Sequence, residues 1–266
     1  MIERKLEKLK EIILSYEKLA IGFSGGVDSS LLSVVASEVL GKNFMAITIN
    51  GDMISKEELI VAKRITSIYN INHVIIDVDI DEIPYFKENP LDRCYYCKKA
   101  LFTMIKNKAL ESSIDLIADG TNIDDLGDYR PGLRAIEELK VVSPLREAGL
   151  TKEDIRKISK IYNLETWNHP SAACLASRIP YGTSIDKKSL ELIGKSEEYI
   201  KSLGFEVVRV RKHNELARIE IGKLELSKLL NELMIDKINM KLKEYGFKHV
   251  ALDLNGYKMG SLNADI

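Results

Sequence analysis

The fold is decided by the stretch Leu19-Ala20-Ile21-Gly22-Phe23-Ser24-Gly25-Gly26-Val27-Asp28-Ser29-Ser30. Its apolar first half predicts a buried β-strand, and its second half predicts a glycine turn that leads into a helix. Adjacent glycines adopt positive φ angles readily and let the backbone approach a ligand closely. The unpaired N–H groups at a helix start attract anions. We therefore expect this strand–turn–helix unit to bind phosphate.

Apolar, β-rich runs recur beyond this stretch. They are Leu19–Phe23, Phe44–Asn50, His73–Val78, Leu116–Asp119 and Lys140–Ser143. Helical periods such as Ser29–Leu40 and Glu57–Tyr69 lie between most of them. Unbroken apolar strands that alternate with helices are typical of a parallel sheet covered on both faces. The predicted fold is α/β, with a doubly wound, mostly parallel sheet.

The pattern changes after about residue 178. A helical period (Lys187–Leu203), two strand-like runs (Glu206–Lys212 and Leu216–Ile221), a long helical period (Leu224–Tyr245) and a last strand (Val250–Leu254) follow in order. This order predicts a smaller C-terminal α+β domain with a mixed sheet. We therefore expect two domains, residues 1–178 and residues 179–266.

Several polar residues are candidate nucleotide ligands. In the loop, Ser24, Ser29 and Ser30 offer hydroxyl donors, and Asp28 suits Mg²⁺ binding or loop orientation. Four more candidates lie at predicted strand ends, where α/β folds bind ligands: Thr48, Asn50, Asp119 and Thr121. The alternative for these four is ordinary loop polarity, and for the loop it is a tight turn without a ligand.

The chain has three cysteines, Cys94, Cys97 and Cys174. If the cysteines formed a redox pair, only the first two would take part. If they were simply small buried side chains, none of the three would take part in chemistry. A zinc site could add His169 as a fourth ligand. Three thiolates could instead hold a [4Fe-4S] cluster with one iron open to an exogenous ligand such as sulfide. Either metal site would use all three thiols, and of the two we favour the open cluster.

The loop Ser24–Ser30 resembles the PP-loop of the ATP pyrophosphatase superfamily. It lacks the Gly-Lys-Ser/Thr ending of a Walker loop. Two further segments, Asp119–Asn122 and Ser143–Lys152, also resemble the superfamily. The resemblance implies that ATP is cleaved between its α and β phosphates, with Mg²⁺, to give an adenylylated substrate and pyrophosphate.

Over nearly its full length the chain also resembles the LarE family of ATP-dependent sulfur transferases. The segments that carry this resemblance are Tyr95-Tyr96, Asp128–Gly132, Cys174 with Arg178–Thr183, Val208–Arg211, Ala217–Glu220 and Leu252–Leu254. The resemblance implies that carboxylates of pyridinium-3,5-dicarboxylate mononucleotide become thiocarboxylates for a nickel-pincer cofactor. It also implies that residues 1–178 form the ATP-binding domain and that residues 179–266 serve substrate binding and homo-oligomerisation. A sulfide donor is implied as well, and the sequence does not identify it.

The resemblance assigns roles to individual residues. One branch of the family sacrifices the sulfur of a cysteine that Cys174 matches, but that branch lacks the other two cysteines. Cys94 and Cys97 match the branch that holds a [4Fe-4S] cluster, so we expect all three cysteines to be ligands, with Asp28 in the catalytic site. The expected substrate-binding residues are Arg178, Arg209, Arg211, Glu197, Glu220 and Asp253.

The residues themselves support only part of that assignment. Arg209 and Arg211 alternate along a predicted strand, so their side chains share a face and suit a phosphate. The alternative is a solvated strand edge with extended arginines. Glu197, on a helix, could equally be a surface acid. Asp128 and Arg130 could form an ion pair or touch the nucleotide, and the pattern does not decide between these roles.

Charge and composition indicate which partners and which cellular location to expect. Thirty-nine basic and forty acidic residues give a net charge of −1, so no polyanion partner is indicated and we expect no nucleic acid. No apolar run reaches the roughly twenty residues that span a bilayer, and the charged N-terminus lacks a signal-peptide core. We expect a cytoplasmic protein without membrane partners. The alternatives are a PP-loop tRNA thiolase with a three-cysteine cluster and a non-catalytic nucleotide-binding module.

Overall fold

In the computed structural model, which describes residues 2–127, 131–170 and 173–258, the chain divides into two units. Residues 2–86 and 91–170 belong to the first, and residues 87–90 and 173–258 to the second. The sequence placed its boundary at residue 178. The structure therefore assigns Cys174 and Arg178 to the second unit, together with an earlier four-residue segment.

The first unit is built on a parallel sheet of four strands in the order β3-β2-β1-β4. Its strands are β1 (Leu19–Gly22), β2 (Phe44–Asn50), β3 (His73–Asp77) and β4 (Ile117–Ala118). Its helices are α1 (Ile2–Leu14), α2 (Val27–Leu40), α3 (Lys56–Ile68), α4 (Arg93–Leu110), α5 (Pro131–Glu138), α6 (Pro144–Glu147) and α7 (Lys152–Ile161). The predicted α/β class is confirmed.

Helices cover the sheet because its strands are apolar on both sides. Strand β2 is buried over its first six residues, so neither of its faces meets solvent. Side chains of α1, α2, α3 and α7 pack in one core cluster with β1 and β2. Helix α4 packs against β1, where a Cβ added to Gly22 would lie 3.0 Å from the Phe102 ring.

The strand order reverses between β1 and β4, since β2 and β3 lie on one side of β1 and β4 lies on the other. Ligands of open α/β sheets bind beyond the carboxyl ends of the strands at such a reversal. The loop after β1 and the segment after β4 meet there. A Cβ added to Gly120 would lie 3.2 Å from the Ser29 backbone nitrogen.

The second unit has a three-stranded mixed sheet in the order β5-β6-β7. Strands β5 (Val208–His213) and β6 (Leu216–Ile221) are antiparallel, and β7 (His249–Leu252) runs parallel to β6. Its helices are α8 (Lys187–Ser202), α9 (Leu226–Leu229) and α10 (Glu232–Tyr245). The apolar faces of α8, α10 and the sheet share one core that includes Ile200, Val208, Val210, Ile219 and Leu242.

Residues 87–90 belong to this second unit because Asn89 is bonded into it. Asn89 is fully buried, and its side-chain amide donates to the carbonyl oxygens of Pro180 at 2.7 Å and Thr183 at 2.9 Å. The Gly182 backbone N–H donates in return to the Asn89 carbonyl at 2.9 Å. The segment therefore fixes the loop that follows Arg178.

Candidate functional site

The loop between β1 and α2 is braced by its own hydroxyl groups. Ser24 Oγ accepts from the Gly26 N–H at 3.3 Å and lies 3.1 Å from Ser29 Oγ. Ser29 Oγ donates to the Gly26 carbonyl at 3.2 Å. Gly25 has a φ of +78°, and an added Cβ would lie 2.8 Å from the Glu58 carbonyl oxygen. Both the backbone conformation and the space therefore require glycine at residue 25.

Gly26 differs from the expectation of a positive φ. Its φ is −73° and its ψ is 164°, an extended conformation at the N-cap of α2 without a side-chain cap. The first helical N–H groups lack carbonyl partners within the helix by geometry, and they carry a partial positive charge. The hydroxyl of Ser30 is fully buried and has no hydrogen-bond partner among the described residues. The loop would therefore bind an anion mainly through backbone N–H groups, because few of its hydroxyl groups are exposed.

Asp28 is held by two side chains from other segments. Lys152, the first residue of α7, forms an ion pair with Asp28 Oδ2. The Asn122 side-chain amide donates to Asp28 Oδ1 at 3.4 Å. The ion pair offsets the carboxylate charge that would otherwise repel an anion at this helix start. The same carboxylate is the group here that suits a divalent cation.

Asp119, which follows β4, is the centre of a buried hydrogen-bond network. Its Oδ2 accepts from Thr121 Oγ1 at 2.5 Å and from Lys98 Nζ at 3.2 Å. Its Oδ1 accepts from Ser143 Oγ at 2.8 Å and from the Thr121 N–H at 3.2 Å. Since both oxygens are engaged, Asp119 organises the strand ends and brings the Lys98 cation toward them.

Thr48, a predicted nucleotide contact, is buried and engaged with the backbone before the loop. Its hydroxyl donates to the Phe23 carbonyl at 2.7 Å and lies 2.8 Å from His73 Nε2. Burial, followed by the charge of Lys63, lowers the pKa of His73, which favours the neutral ring. The neutral ring with its proton on Nε2 completes a chain of hydrogen bonds from His73 through Thr48 to Phe23. No local sequence pattern marks His73 as part of this chain of hydrogen bonds.

Cys94 and Cys97 lie in the first turn of α4, three residues apart on neighbouring positions of one helix face. Cys94 is exposed and Cys97 is half-buried. The Nη2 group of Arg93 lies 3.9 Å from the Cys94 sulfur. The pair has the Cys-x-x-Cys spacing that suits metal or sulfur chemistry.

Cys174 is exposed and belongs to the second unit, whereas Cys94 and Cys97 belong to the first. Within the described ranges no group of three or more His, Cys, Asp or Glu side chains is arranged to hold a metal ion. The three-cysteine cluster stays a prediction.

Two bidentate ion pairs lie in the second unit. Arg178 donates from Nε and Nη2 to Glu197 at 2.8 and 3.0 Å, and Arg211 donates in the same way to Glu220 at 2.9 and 2.8 Å. All four side chains are less than a tenth exposed. Burial alone would lower the pKa of Arg178, but the hydrogen bonds and charge of Glu197 outweigh it and raise that pKa.

Arg209 and Arg218 extend this charged cluster. Burial, followed by the charge of Arg178, lowers the pKa of Arg209, whose guanidinium lies 5.0 Å from the Tyr257 ring centroid. Arg218 Nη2 lies 3.1 Å from Glu220, and its Nε lies 3.7 Å from Asp253. The four arginines thus exceed the three carboxylates Glu197, Glu220 and Asp253 by one positive charge. Asp128 and Arg130 lie outside the described residues.

The strand order, the braced loop after β1 and the Asp119 network define an α/β protein of the PP-loop class. The family model of NAD synthase matches residues 2–94. A pyridinium-3,5-bisthiocarboxylic acid mononucleotide synthase of Lactiplantibacillus plantarum is 34% identical over 248 residues, which is 93% of this chain and 89% of that protein. The chain belongs to the LarE family of PP-loop proteins, and it is accordingly an enzyme that uses ATP.

Two further relatives match almost end to end. An uncharacterised protein of Synechocystis is 37% identical over 263 residues, which is 99% of this chain and 98% of that protein. An uncharacterised protein of Methanocaldococcus jannaschii is 36% identical over 260 residues, or 96% of this chain and 98% of that protein. Both described units therefore fall within the matched length. Of the helices that the structure describes, none has the length and apolar character needed to cross a membrane.

Proposed function

We propose that this chain adenylylates carboxylates of pyridinium-3,5-dicarboxylate mononucleotide and converts them to thiocarboxylates, in the biosynthesis of a nickel-pincer cofactor. The observation that carries the proposal is the phosphate loop with its Lys152–Asp28 ion pair at the reversal of strand order. The 34% identity to a pyridinium-3,5-bisthiocarboxylic acid mononucleotide synthase supports the choice of substrate.

The first step is the activation of a carboxylate. A carboxylate oxygen of the substrate attacks the α-phosphorus of ATP, the bond to the β-phosphate oxygen breaks, and pyrophosphate leaves. The backbone donors after Gly25 and the cations Lys152 and Lys98 would stabilise the negative charge that builds on the phosphates. Asp28 would hold Mg²⁺, which neutralises the departing pyrophosphate.

The second step replaces oxygen by sulfur. A sulfur nucleophile attacks the acyl carbon of the adenylate, the bond to the AMP oxygen breaks, and AMP leaves. We propose that Cys94, Cys97 and Cys174 together bind a [4Fe-4S] cluster, which when bound would supply sulfide close to the adenylate. The exposure of the Cys94 and Cys174 thiols supports these two ligands individually.

The substrate phosphate is proposed to bind beside the charged cluster of the second unit. Arg209 contributes the charge, and Glu197, Glu220 and Asp253 hold the arginines in place through their ion pairs. The Nε–Nη2 edges of Arg178 and Arg211 already face carboxylates. Both forks are therefore engaged within the protein, and neither is open to a bidentate bond with the phosphate.

The chain is further proposed to form homo-oligomers through its second unit. Large apolar side chains are exposed there, including Leu224 at 96%, Leu233 at 77% and Met240 at 64%. Exposed apolar patches are typical of protein interfaces. Light scattering of the wild type and of Leu233→Glu tests this, because a dimer or larger assembly should shift toward monomer in the variant. A wild type that is monomeric at micromolar concentration contradicts it.

The function itself is tested by pyrophosphate release under anaerobic conditions with ATP, Mg²⁺ and sulfide. Release should require the dicarboxylate mononucleotide and should not be stimulated by tRNA. Lys152→Ala, which removes the ion-pair partner of Asp28, should slow the release, and Lys157→Ala, which removes only an exposed ion pair with Glu153 on the same helix, is its matched control. Release that depends on tRNA would favour a tRNA thiolase, and no release with either acceptor would favour a nucleotide-binding module.

A further inference from the structure

The turn that carries Cys174 is bonded to one buried guanidinium. Arg178 is 3% exposed, whereas Ala173 and Cys174 are exposed. The Nη1 group of Arg178 donates to the carbonyl oxygens of Ala173 at 2.7 Å and Cys174 at 3.0 Å. It also lies 2.8 Å from Ser177 Oγ. A single side chain therefore spans the whole turn from inside.

Ser177 completes the turn from its other end. Its N–H and its hydroxyl donate to the Cys174 carbonyl at 2.9 and 2.7 Å. Arg211 Nη1 in turn donates to the Ser177 carbonyl at 2.8 Å. The Cys174 carbonyl thus accepts three hydrogen bonds, and both buried arginines of the bidentate pairs donate to this turn.

Arg178 is itself fixed by Glu197 on helix α8. The Glu197 carboxylate accepts hydrogen bonds from Nε and Nη2 of Arg178 at 2.8 and 3.0 Å, so that Nη1 is directed at the turn. Glu197 Oε1 also accepts from the Val210 N–H at 2.9 Å, so the pair is anchored to strand β5. A guanidinium whose planar fork is saturated in this way has little capacity to clamp a phosphate bidentately.

We propose that Arg178 is a positioning residue that fixes the turn presenting the Cys174 thiol and does not bind the substrate phosphate. The proposal rests on the proposed function for the role of Cys174, but the geometry of the turn stands without it.

The test compares the wild-type chain with Arg178→Lys. Lysine keeps the positive charge, but its single ammonium group cannot bond both oxygens of Glu197 and the carbonyl groups of the turn at the same time. Hydrogen exchange of the amides in residues 173–178 should become roughly tenfold faster, the effect of losing a hydrogen bond to a charged group. In the complete reaction kcat should fall by about tenfold or more, while KM for the dicarboxylate mononucleotide changes by less than about twofold. Leu242→Ala is the control for lost stability, because it opens the core of the same unit away from the turn.

Glu197→Gln provides a second variant in case Arg178→Lys folds poorly. It removes the charge that orients Arg178 while it keeps the shape of the side chain, so exchange in residues 173–178 should also increase. Unchanged exchange in the folded variants overturns the proposal, and so does a KM that rises with kcat preserved, as expected of a phosphate ligand. Because hydrogen exchange needs no turnover, this outcome is distinguishable from a failure of the proposed function.

Discussion

Lys152, at the start of helix α7, forms an ion pair with Asp28, in the first turn of helix α2. The pair joins the segment after residue 143 to the phosphate loop. It also places a cation where an acidic residue would otherwise weaken the attraction of the helix start for phosphate. The relationship explains how an aspartate can lie inside an anion-binding loop.

Replacement of Lys152 by alanine should weaken ATP use. The Asp28 charge is then left without its main partner, and KM for ATP should rise about tenfold or more, the effect of roughly 1.5–3 kcal/mol for a hydrogen bond to a charged group. Steady-state kinetics with varied ATP measure this. Lys157→Ala, on the same helix but in an exposed pair, should change KM for ATP by less than about twofold. Equal effects of the two substitutions would show that Lys152 acts only on the stability of the helix.

Gly25→Ala should abolish nucleotide binding. Its φ of +78° disfavours an L side chain, and the added Cβ would lie 2.8 Å from the Glu58 carbonyl oxygen. Calorimetric titration with ATP should detect no binding at concentrations that saturate the wild type. Gly41→Ala is the matched control, since its φ is +52° but no atom lies within 4 Å of the added Cβ. That control should lose about 1–3 kcal/mol of stability and retain its affinity for ATP, and a Gly25→Ala variant with normal affinity refutes the loop assignment.

The buried His73 should make stability depend on pH. Its pKa in the folded protein lies below that in the unfolded chain, so the unfolded state binds more protons as the pH falls. The stabilisation is present above about pH 6.5, the ordinary histidine value, and is lost as the pH falls through the folded-state pKa. Urea unfolding at several pH values measures how the free energy of unfolding changes with pH. One proton contributes at most about 1.4 kcal/mol per pH unit to that slope.

His73→Gln keeps a donor toward Thr48 and has no titrating ring, so the decrease in unfolding free energy at low pH should be smaller than in the wild type. His249→Gln is the control, because His249 lies exposed on β7 of the second unit. Parallel slopes for His73→Gln and the wild type would mean that His73 is not responsible.

The three cysteines should bind iron after anaerobic reconstitution with iron and sulfide. Iron and acid-labile sulfide should approach four of each per chain, and Cys94→Ser, Cys97→Ser and Cys174→Ser should each lose most of both. Intact mass after turnover should show Cys174 unchanged. Iron and sulfide near zero in the wild type contradict the cluster, and loss of one sulfur atom per chain shows that Cys174 is consumed.

The fold followed from the sequence where local and tertiary preferences agree. Strand Phe44–Asn50 was predicted with its observed bounds, because a continuous apolar run is what a central parallel strand requires. Lys140–Ser143 was predicted as a strand but forms only a single parallel bridge, between Val142 and Ala118. Its partner β4 is two residues long, so little of the run can be paired.

The predicted helix Leu224–Tyr245 was wrong in its continuity. Asn231 adopts an extended conformation, and its side chain accepts from the Met234 N–H, which starts a new helix at Glu232. Asparagine is a preferred N-cap residue, so Asn231 does indicate a helix start. The helical spacing of apolar residues on both sides of it nevertheless favoured a single continuous helix.

The candidate site was predictable only where its residues are close in sequence. The loop Ser24–Ser30 could be identified because its glycines and its helix start are contiguous. The roles of His73, Lys98 and Asn89 depend on contacts between distant segments, and no local pattern marks them. The sequence did place Arg211 and Glu220 on neighbouring strands, but only the register shows that they form a diagonal ion pair.

The central claim is tested most directly by an anaerobic reaction of the purified chain with ATP, Mg²⁺, sulfide and pyridinium-3,5-dicarboxylate mononucleotide. AMP and pyrophosphate should form in equal amounts, and mass spectrometry of the nucleotide product should show oxygen replaced by sulfur in one or both carboxylates. ATP consumption without any sulfur in the nucleotide, or no consumption in its presence, contradicts the account.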